Sequence, residues 1–349
     1  MSSPQNRAAY LDKAGSQFDV RDAPMSTPGP GEILVNNAAI ALNPVDYKMQ
    51  DHGMFIKNWP ATIGCDVAGT VYDIGPDVKR FKKGDRIIGH AIGFVTGRSQ
   101  DGAFQQYTIL PVDKAAILPD NIPFTDGVVL PTGIATAVCG LSIKTAVEVM
   151  PGIKKPALGL PFPSVDPAAP IGKVLVVYGG SSSVGSATIQ LATLAGIHVI
   201  AIASTRNAEL CKRCGAQAVF DYKDASVAEN VINAVRHTGL EFIGILDAIS
   251  ETSTYEIDLA ILEGLGGGHL ACTQPPPSKV PEDVKVGMIF AVDDVTTTVW
   301  NEFVGEALQK GTLQCLPKPT VVGKGLDSIN EGVKQVKAGV SATKLVVEL

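Results

Sequence analysis

Cysteine is scarce in this chain. Six cysteines among 349 residues are too few for a disulfide scaffold, and only Cys211 and Cys214, in CKRC, have the spacing of a metal or redox pair. No second pair accompanies them. On a helix that spacing puts both thiols on one face, which is ordinary packing. Long apolar runs are also missing: stretches such as VIAIA are far too short to span a bilayer. The N-terminal MSSPQNRAAYLDKAG has no continuous apolar segment of the kind found in secretory signals. A soluble, cytoplasmic protein with no membrane partner is the expectation. Positive charge is not in excess either. With 29 basic and 35 acidic residues the formal charge is −6, and no basic run occurs, which argues against nucleic acid as a partner.

What is present is the ordinary usage of a large globular chain, 45% hydrophobic and 18% charged. Its length exceeds that at which single cores stop growing, so two domains are expected. The first third alternates short apolar runs with Gly and Pro punctuation: GEILVNNAAIAL, CDVAGTVYDIG, GDRIIGHAIGF and GAFQQYTIL. These read as strands of a β-rich domain over residues 1–123. From Pro123 a long apolar helical stretch, FTDGVVLPTGIATAVCGLSIKTAVEV, precedes the Pro-rich loop PGIKKPALGLPFPSVDPAAPIG.

Strands and helices then alternate from KVLVVYG to FIGILDAIS. Near-continuous apolar strands between amphipathic helices indicate a parallel sheet covered on both faces. The fold class is therefore α/β, a doubly wound Rossmann domain over 124–311 joined to a β-rich domain. Residues 312–349, with a helix over GLDSINEGVKQVKAG and the strand ATKLVVEL, are expected to return to the first domain.

The segment VLVVYGGSSSVGSATIQLA has the order strand, tight loop, helix that a dinucleotide requires. Backbone must approach the pyrophosphate, whose charge then sits at a helix N-terminus worth about half a positive charge. Gly179, Gly180 and Gly185 provide the glycines. Ser181, Ser182 and Ser183 add hydroxyls, and Val184 opens the helix. A serine N-cap is the plainer reading of the same hydroxyls.

After the next strand come Ser204, Thr205, Arg206 and Asn207, with no acid among them. An acid there would hold the ribose 2′-hydroxyl of NAD, whereas hydroxyls with arginine suit the 2′-phosphate of NADP. An arginine starting a helix also opposes the helix dipole unless an anion lies nearby. Tyr222, in VFDYKD, either reaches that phosphate or is a strand-end aromatic. NADPH is the cofactor expected.

The whole chain resembles a medium-chain dehydrogenase/reductase. The likeness is carried by ALNPVDYK, GCDVAGTVYDIGPDVKRFKKGDRI, GAFQQYTI, the Gly-Ser loop and GVSATKLVVEL. Within that family it is most similar to the zinc-free branch: quinone oxidoreductase-like proteins and the stand-alone enoyl reductases that serve fungal polyketide synthases. GGSSSVG, STRN and Tyr222 point to the enoyl reductases. The resemblance implies a GroES-like first domain. Zinc-dependent members carry Gly-His-Glu where this chain has Gly64, Cys65 and Asp66, an early cysteine where it has Asn43 and Pro44, and a third ligand near Pro131 or Thr132. One thiol cannot make a three-ligand site. No zinc is expected, and GCDVAG reads as a structural corner.

The resemblance also implies site residues. Lys48 is the candidate cation for an enolate or the cofactor ribose, with a surface lysine as the alternative. Asp46 and Tyr47 share its segment, read as a strand that sends only one neighbour inward. Thr132 or Thr136 would bond a substrate carbonyl, and Cys139, Ile289, Phe290 and Val292 would wall the acyl site. Pro44, Ile249, Thr273, Val340 and Ser341 would border the cofactor. The implied reaction is hydride transfer from NADPH to the β-carbon of an α,β-unsaturated carbonyl or thioester, the substrate being either a small molecule or an acyl chain carried by a polyketide synthase. Quinone reduction and a non-catalytic NADPH-binding role are the alternatives.

Overall fold

In a computed structural model, residues 5–166 and 168–349 are described, and the chain divides into two compact units. The first comprises residues up to Thr132 together with Trp300–Gln309 and Lys318–Leu349; the second comprises Gly133–Val299 and Lys310–Pro317.

The first unit is built on a seven-stranded sheet. Its order is Pro319–Lys324, Lys344–Glu348, Glu32–Ala41, Asp66–Ile74, Arg86–His90 and Ala115–Ile117, and Tyr107–Pro111 also pairs with Glu32–Ala41. Lys344–Glu348 lies antiparallel to Glu32–Ala41, with Val347 opposite Ile40. The C-terminal segment thus contributes two strands to this sheet. The core beneath holds Ile33, Val35, Ile40, Val67, Phe104, Ile329 and Val347. Its residues follow the period-two alternation of the strands and the 3.6-residue period of the helix Ile329–Ala338.

ALNPVDYK does not form a strand. Residues Pro44–His52 are a helix, and the local chemistry explains it. The Asn43 amide donates to the Asp46 carboxylate at 2.7 Å, Pro44 occupies the first turn, where a missing N–H costs nothing, and Gly53 ends the helix at φ 66°. A residue three positions on from Asn43 outweighs the alternation of Val45 and Tyr47.

The long apolar stretch after Pro123 is likewise not one helix. It divides into Phe124–Gly127 and Pro131–Leu141, and its end forms the strand Glu148–Met150. Pro131 lacks the amide that a continuous helix would need. Phe124–Leu141 has the length and hydropathy of a membrane span, yet 78% of it is buried inside the protein. It is core.

The second unit holds a six-stranded parallel sheet in the order Ala218–Phe220, His198–Ile202, Lys173–Tyr178, Glu241–Asp247, Gly268–Cys272, Val284–Met288. The order reverses beside Lys173–Tyr178, and ligands of such sheets bind at the carboxyl ends next to that reversal. Val174, Val176, Ile200, Ile245 and Leu270 are buried between the helix layers. Both faces being covered accounts for the unbroken apolar runs.

Candidate functional site

The strand Lys173–Tyr178 runs into Gly179 at φ 72°, and the helix Ser183–Leu194 begins four residues later. A Cβ on Gly179 would lie 2.6 Å from Ile249 Cγ1, and one on Gly185 would lie 2.1 Å from the Gly179 carbonyl oxygen. Helix start and strand end therefore touch through bare backbone, and the amides of Gly179 and Gly180 both donate to the Ile202 carbonyl, at 2.9 and 3.1 Å. Ser182 is the N-cap: its Oγ accepts from the Gly185 amide at 3.0 Å. Its hydroxyl serves the helix, as the capping reading requires. Ser181 Oγ accepts from Asn207 Nδ2 at 3.1 Å, which ties this loop to the end of the next strand.

At that strand end Arg206 is exposed and Tyr222 is 42% exposed. The neighbouring strand brings an acid that the local sequence did not announce. Asp221 Oδ2 accepts from the Thr205 hydroxyl at 2.5 Å and from the Thr205 amide at 2.9 Å, while Oδ1 accepts from the Lys223 amide at 2.9 Å. These bonds, the Thr205 hydroxyl first, hold the Asp221 carboxyl down at about 2, so it is ionised. Both polar hydrogens of Thr205 thus go to Asp221. Lys223, also overlooked in the sequence, places its ammonium 5.9 Å from the centre of the Tyr222 ring.

On the other side of the loop the Ile249 amide donates to Asp247 at 2.8 Å, and the Thr273 amide donates to Ser250 Oγ at 2.8 Å. Thr136 and Cys139 are buried on the helix Pro131–Leu141. Gly140 of that helix meets Leu246 and Ile289, to which a Cβ would come within 2.6 and 2.9 Å. Ile289 is buried against this helix, whereas Phe290 and Val292 are half-buried.

The first unit contains a separate buried polar cluster. Lys344 Nζ lies 3.0 Å from Asp66 Oδ2 and donates to Asn43 Oδ1 at 2.5 Å; Asn43 Nδ2 donates to the same Asp66 oxygen at 2.8 Å. Asp66 Oδ1 accepts from both the amide and the hydroxyl of Thr132, each at 2.6 Å. The Thr132 hydroxyl, one of the two considered for a substrate carbonyl, thus donates to Asp66 instead.

Asp46, fully buried, keeps one carboxyl oxygen without a hydrogen-bond partner. Burial pushes its pKa up to about 7, with the Asp66 charge adding to the rise and the Asn43 amide and Lys344 opposing it. Burial also drives the Cys65 thiol well above its ordinary range and takes the His90 imidazole down to about 4. Neither ring nitrogen of His90 has a partner.

Lys48 follows on the helix Pro44–His52, half-buried; Pro44, Val340 and Ser341 are exposed. GCDVAG does turn a corner. Gly64 sits at φ 98°, and a Cβ there would lie 2.3 Å from Phe104 Cδ1. Asp66, however, is no mere corner residue, because it carries the buried ion pair.

The chain matches the family model of the alcohol dehydrogenase GroES-like domain over residues 29–120 and that of the zinc-binding dehydrogenase over residues 183–297. The dehydrogenase orsE of Emericella nidulans is 62% identical over 345 residues, spanning 99% of each chain. The trans-enoyl reductase himH of Aspergillus japonicus is 35% identical over 100% of this chain and 99% of its own. A mycobacterial protein solved in complex with NADPH superposes with a TM-score of 0.70 at 22% identity, covering 99% of this chain and 100% of the other; at that identity the likeness speaks for the fold.

The glycine cradle fits a dinucleotide. Zinc does not fit: among the described residues no group of three or more His, Cys, Asp or Glu side chains is placed to hold a metal ion. Asn43 and Asp66 instead hold the Lys344 ammonium, and Thr132 donates to Asp66.

Proposed function

The chain belongs to the medium-chain dehydrogenase/reductase family, and from that premise we propose that it is an NADPH-dependent reductase of conjugated C=C bonds. Its substrate would be an α,β-unsaturated carbonyl or thioester, presented by a polyketide synthase. The observation that carries this reading is the end-to-end relationship with a trans-enoyl reductase at 35% identity, joined to a glycine cradle in which a side chain at Gly185 would strike the Gly179 carbonyl.

Bound NADPH supplies a hydride. The residues do the rest. The loop from Gly179 to Val184 cradles the pyrophosphate at the N-terminus of the helix Ser183–Leu194, while Arg206, Ser204, Asn207 and Tyr222 take the 2′-phosphate. Ile249, Thr273, Pro44, Val340 and Ser341 border the cofactor. Hydride addition at the β-carbon moves the π electrons onto the carbonyl oxygen as an enolate, and a proton then joins the α-carbon. The Thr136 hydroxyl and the Lys48 ammonium are assigned to that oxygen, because a donor that strengthens as charge develops lowers the barrier. Cys139, Ile289, Phe290 and Val292 form the apolar wall.

Purified protein offered NADPH with an enoyl thioester, a simple enone or a quinone tests the reading. Consumption of NADPH with the thioester or enone, and a product heavier by two hydrogens, is expected. Turnover of the quinone alone would assign it instead to quinone reduction.

A further inference from the structure

A buried acid of the second unit meets no donor. Asp258, wholly buried on the helix Thr252–Gly264, has neither carboxyl oxygen matched by a hydrogen-bond partner, and the group it faces within bonding reach is a second buried carboxyl, that of Asp247. We propose that Asp258 carries the single proton of a carboxyl pair with Asp247, and that the bond so formed positions the turn Asp247–Ser250, which carries Ile249 and holds Thr273 at the edge of the cofactor. Asp258 is thus a positioning residue, a role that rests on NADPH being the cofactor.

Two buried carboxyls in contact cannot both ionise without a cation between them. Asp247 is engaged by donors on both oxygens: Oδ1 accepts from the Ile249 and Ser250 amides at 2.8 and 2.9 Å, and Oδ2 accepts from the Thr254 hydroxyl at 2.5 Å. Asp258 accepts from none. The proton therefore belongs on Asp258, which donates it to Asp247 and so gains the partner that a buried polar group requires. Burial first, and then the Asp247 charge, raise the Asp258 carboxyl well above its ordinary range. Tyr178, Cys272 and Tyr255 surround the pair, and burial raises each of them, so they stay neutral. Glu251, at the start of the same helix, is an acid and supplies no counter-charge.

The turn needs to be held. Ser250 takes φ 60°, a left-handed conformation that a residue with a side chain keeps only when its surroundings impose it. The Asp247 carboxylate imposes it through the two amides, while Ser250 Oγ donates to the Asp247 carbonyl at 2.8 Å and accepts from the Thr273 amide at 2.8 Å. Ile249, inside the turn, packs where a Cβ on Gly179 would lie. The place of the Asp247 side chain therefore sets that of Ile249 and Thr273 beside the glycine cradle. Ionisation of Asp258 would bring two negative charges together beneath this turn, and an apolar residue at 258 would deprive Asp247 of a donor.

Infrared difference spectra of wild type against Asp258→Asn at neutral pH should show, in wild type, the C=O stretch of one un-ionised carboxylic acid. Above the ordinary carboxyl range the folded chain holds a proton that the unfolded chain has released, so wild type should lose stability relative to Asp258→Asn as pH rises, until the folded pair ionises. Asp258→Asn keeps a donor and should bind NADPH within a few-fold of wild type, whereas Asp258→Leu should bind it about tenfold more weakly, the loss of one charge-assisted bond. If Asp258→Leu does not fold, Asp258→Ala takes its place; the spectra and the unfolding curves need neither. The proposal is overturned by spectra without the acid band, by a stability difference that does not change with pH, or by an Asp258→Leu that binds NADPH as tightly as wild type. A wild type that shows the band and the slope yet binds no NADPH would refute the cofactor reading, and with it the positioning role, while leaving the shared proton in place.

Discussion

The hydroxyl and the amide of Thr205 both donate to Asp221 Oδ2, at 2.5 and 2.9 Å. This carboxylate, delivered by the adjacent strand, fixes the loop that presents Arg206. It also places a negative charge beside the position assigned to the 2′-phosphate. Cations must outweigh it for NADPH to be preferred, and Arg206 and Lys223 are the ones at hand. Wild type should bind NADPH about ten- to a hundredfold more tightly than NADH, the range of one charge-assisted phosphate contact. Arg206→Ala should remove most of that preference while leaving NADH affinity within a few-fold, as fluorescence titration of both cofactors would show. Equal affinities in wild type would contradict the assignment.

Gly185 offers a second, purely steric test. Because a Cβ there would sit 2.1 Å from the Gly179 carbonyl oxygen, Gly185→Ala must push the helix Ser183–Leu194 away from its strand. Loss of cofactor binding together with a lower melting temperature is expected. Gly172→Ala, at a glycine with nothing within 4 Å of the added Cβ but at φ 75°, should cost roughly 1 kcal/mol of stability and leave cofactor affinity unchanged.

His90 sets a pH dependence. Its imidazole is held at about 4, below the ordinary 6.5, chiefly by burial; Lys114 and Lys344 add to the depression and Asp66 opposes it. Between those two values the unfolded chain binds the proton and the folded chain does not. Stability should therefore be lost as pH falls from about 6.5 to about 4, by up to about 3 kcal/mol from this one group. Below about 4 its contribution should be flat. Denaturant unfolding of wild type and His90→Phe across pH 4 to 7 would reveal the difference in slope, and parallel curves would mean that the imidazole is not kept neutral.

Lys48→Ala separates two roles. An ammonium that meets charge only as the enolate forms should, when removed, lower kcat and kcat/KM together, by about ten- to a hundredfold for a single charge-assisted bond. An ammonium that only anchors cofactor would show its loss as weaker NADPH binding with kcat intact.

Much of the architecture was legible because burial writes it into residue order. Strands such as KVLVVY have two covered faces and so are apolar throughout, and the glycine turn after that strand is required by backbone approach. The helix Pro44–His52 was misread because nine residues with weak amphipathicity look like alternation, and only the Asn43–Asp46 bond discloses it. The buried cluster was half legible. Asn43, Asp66 and Thr132 stand at recognisable positions, but Lys344 belongs to a strand far away in the chain and meets them only through sheet pairing. Asp221 was hidden for the same reason: its strand neighbours that of Ser204 in the parallel sheet, and local order does not say which side chains adjacent strand ends will share.

The central claim is hydride transfer to carbon, and isotope tracing addresses it most directly. NADPH carrying deuterium at the transferring C4 position should give, with a short enoyl thioester, a saturated product containing one deuterium at the β-carbon and a solvent-derived hydrogen at the α-carbon, read by mass spectrometry and NMR. Product without deuterium at that carbon, or consumption of NADPH with the thioester recovered unchanged, would contradict the account.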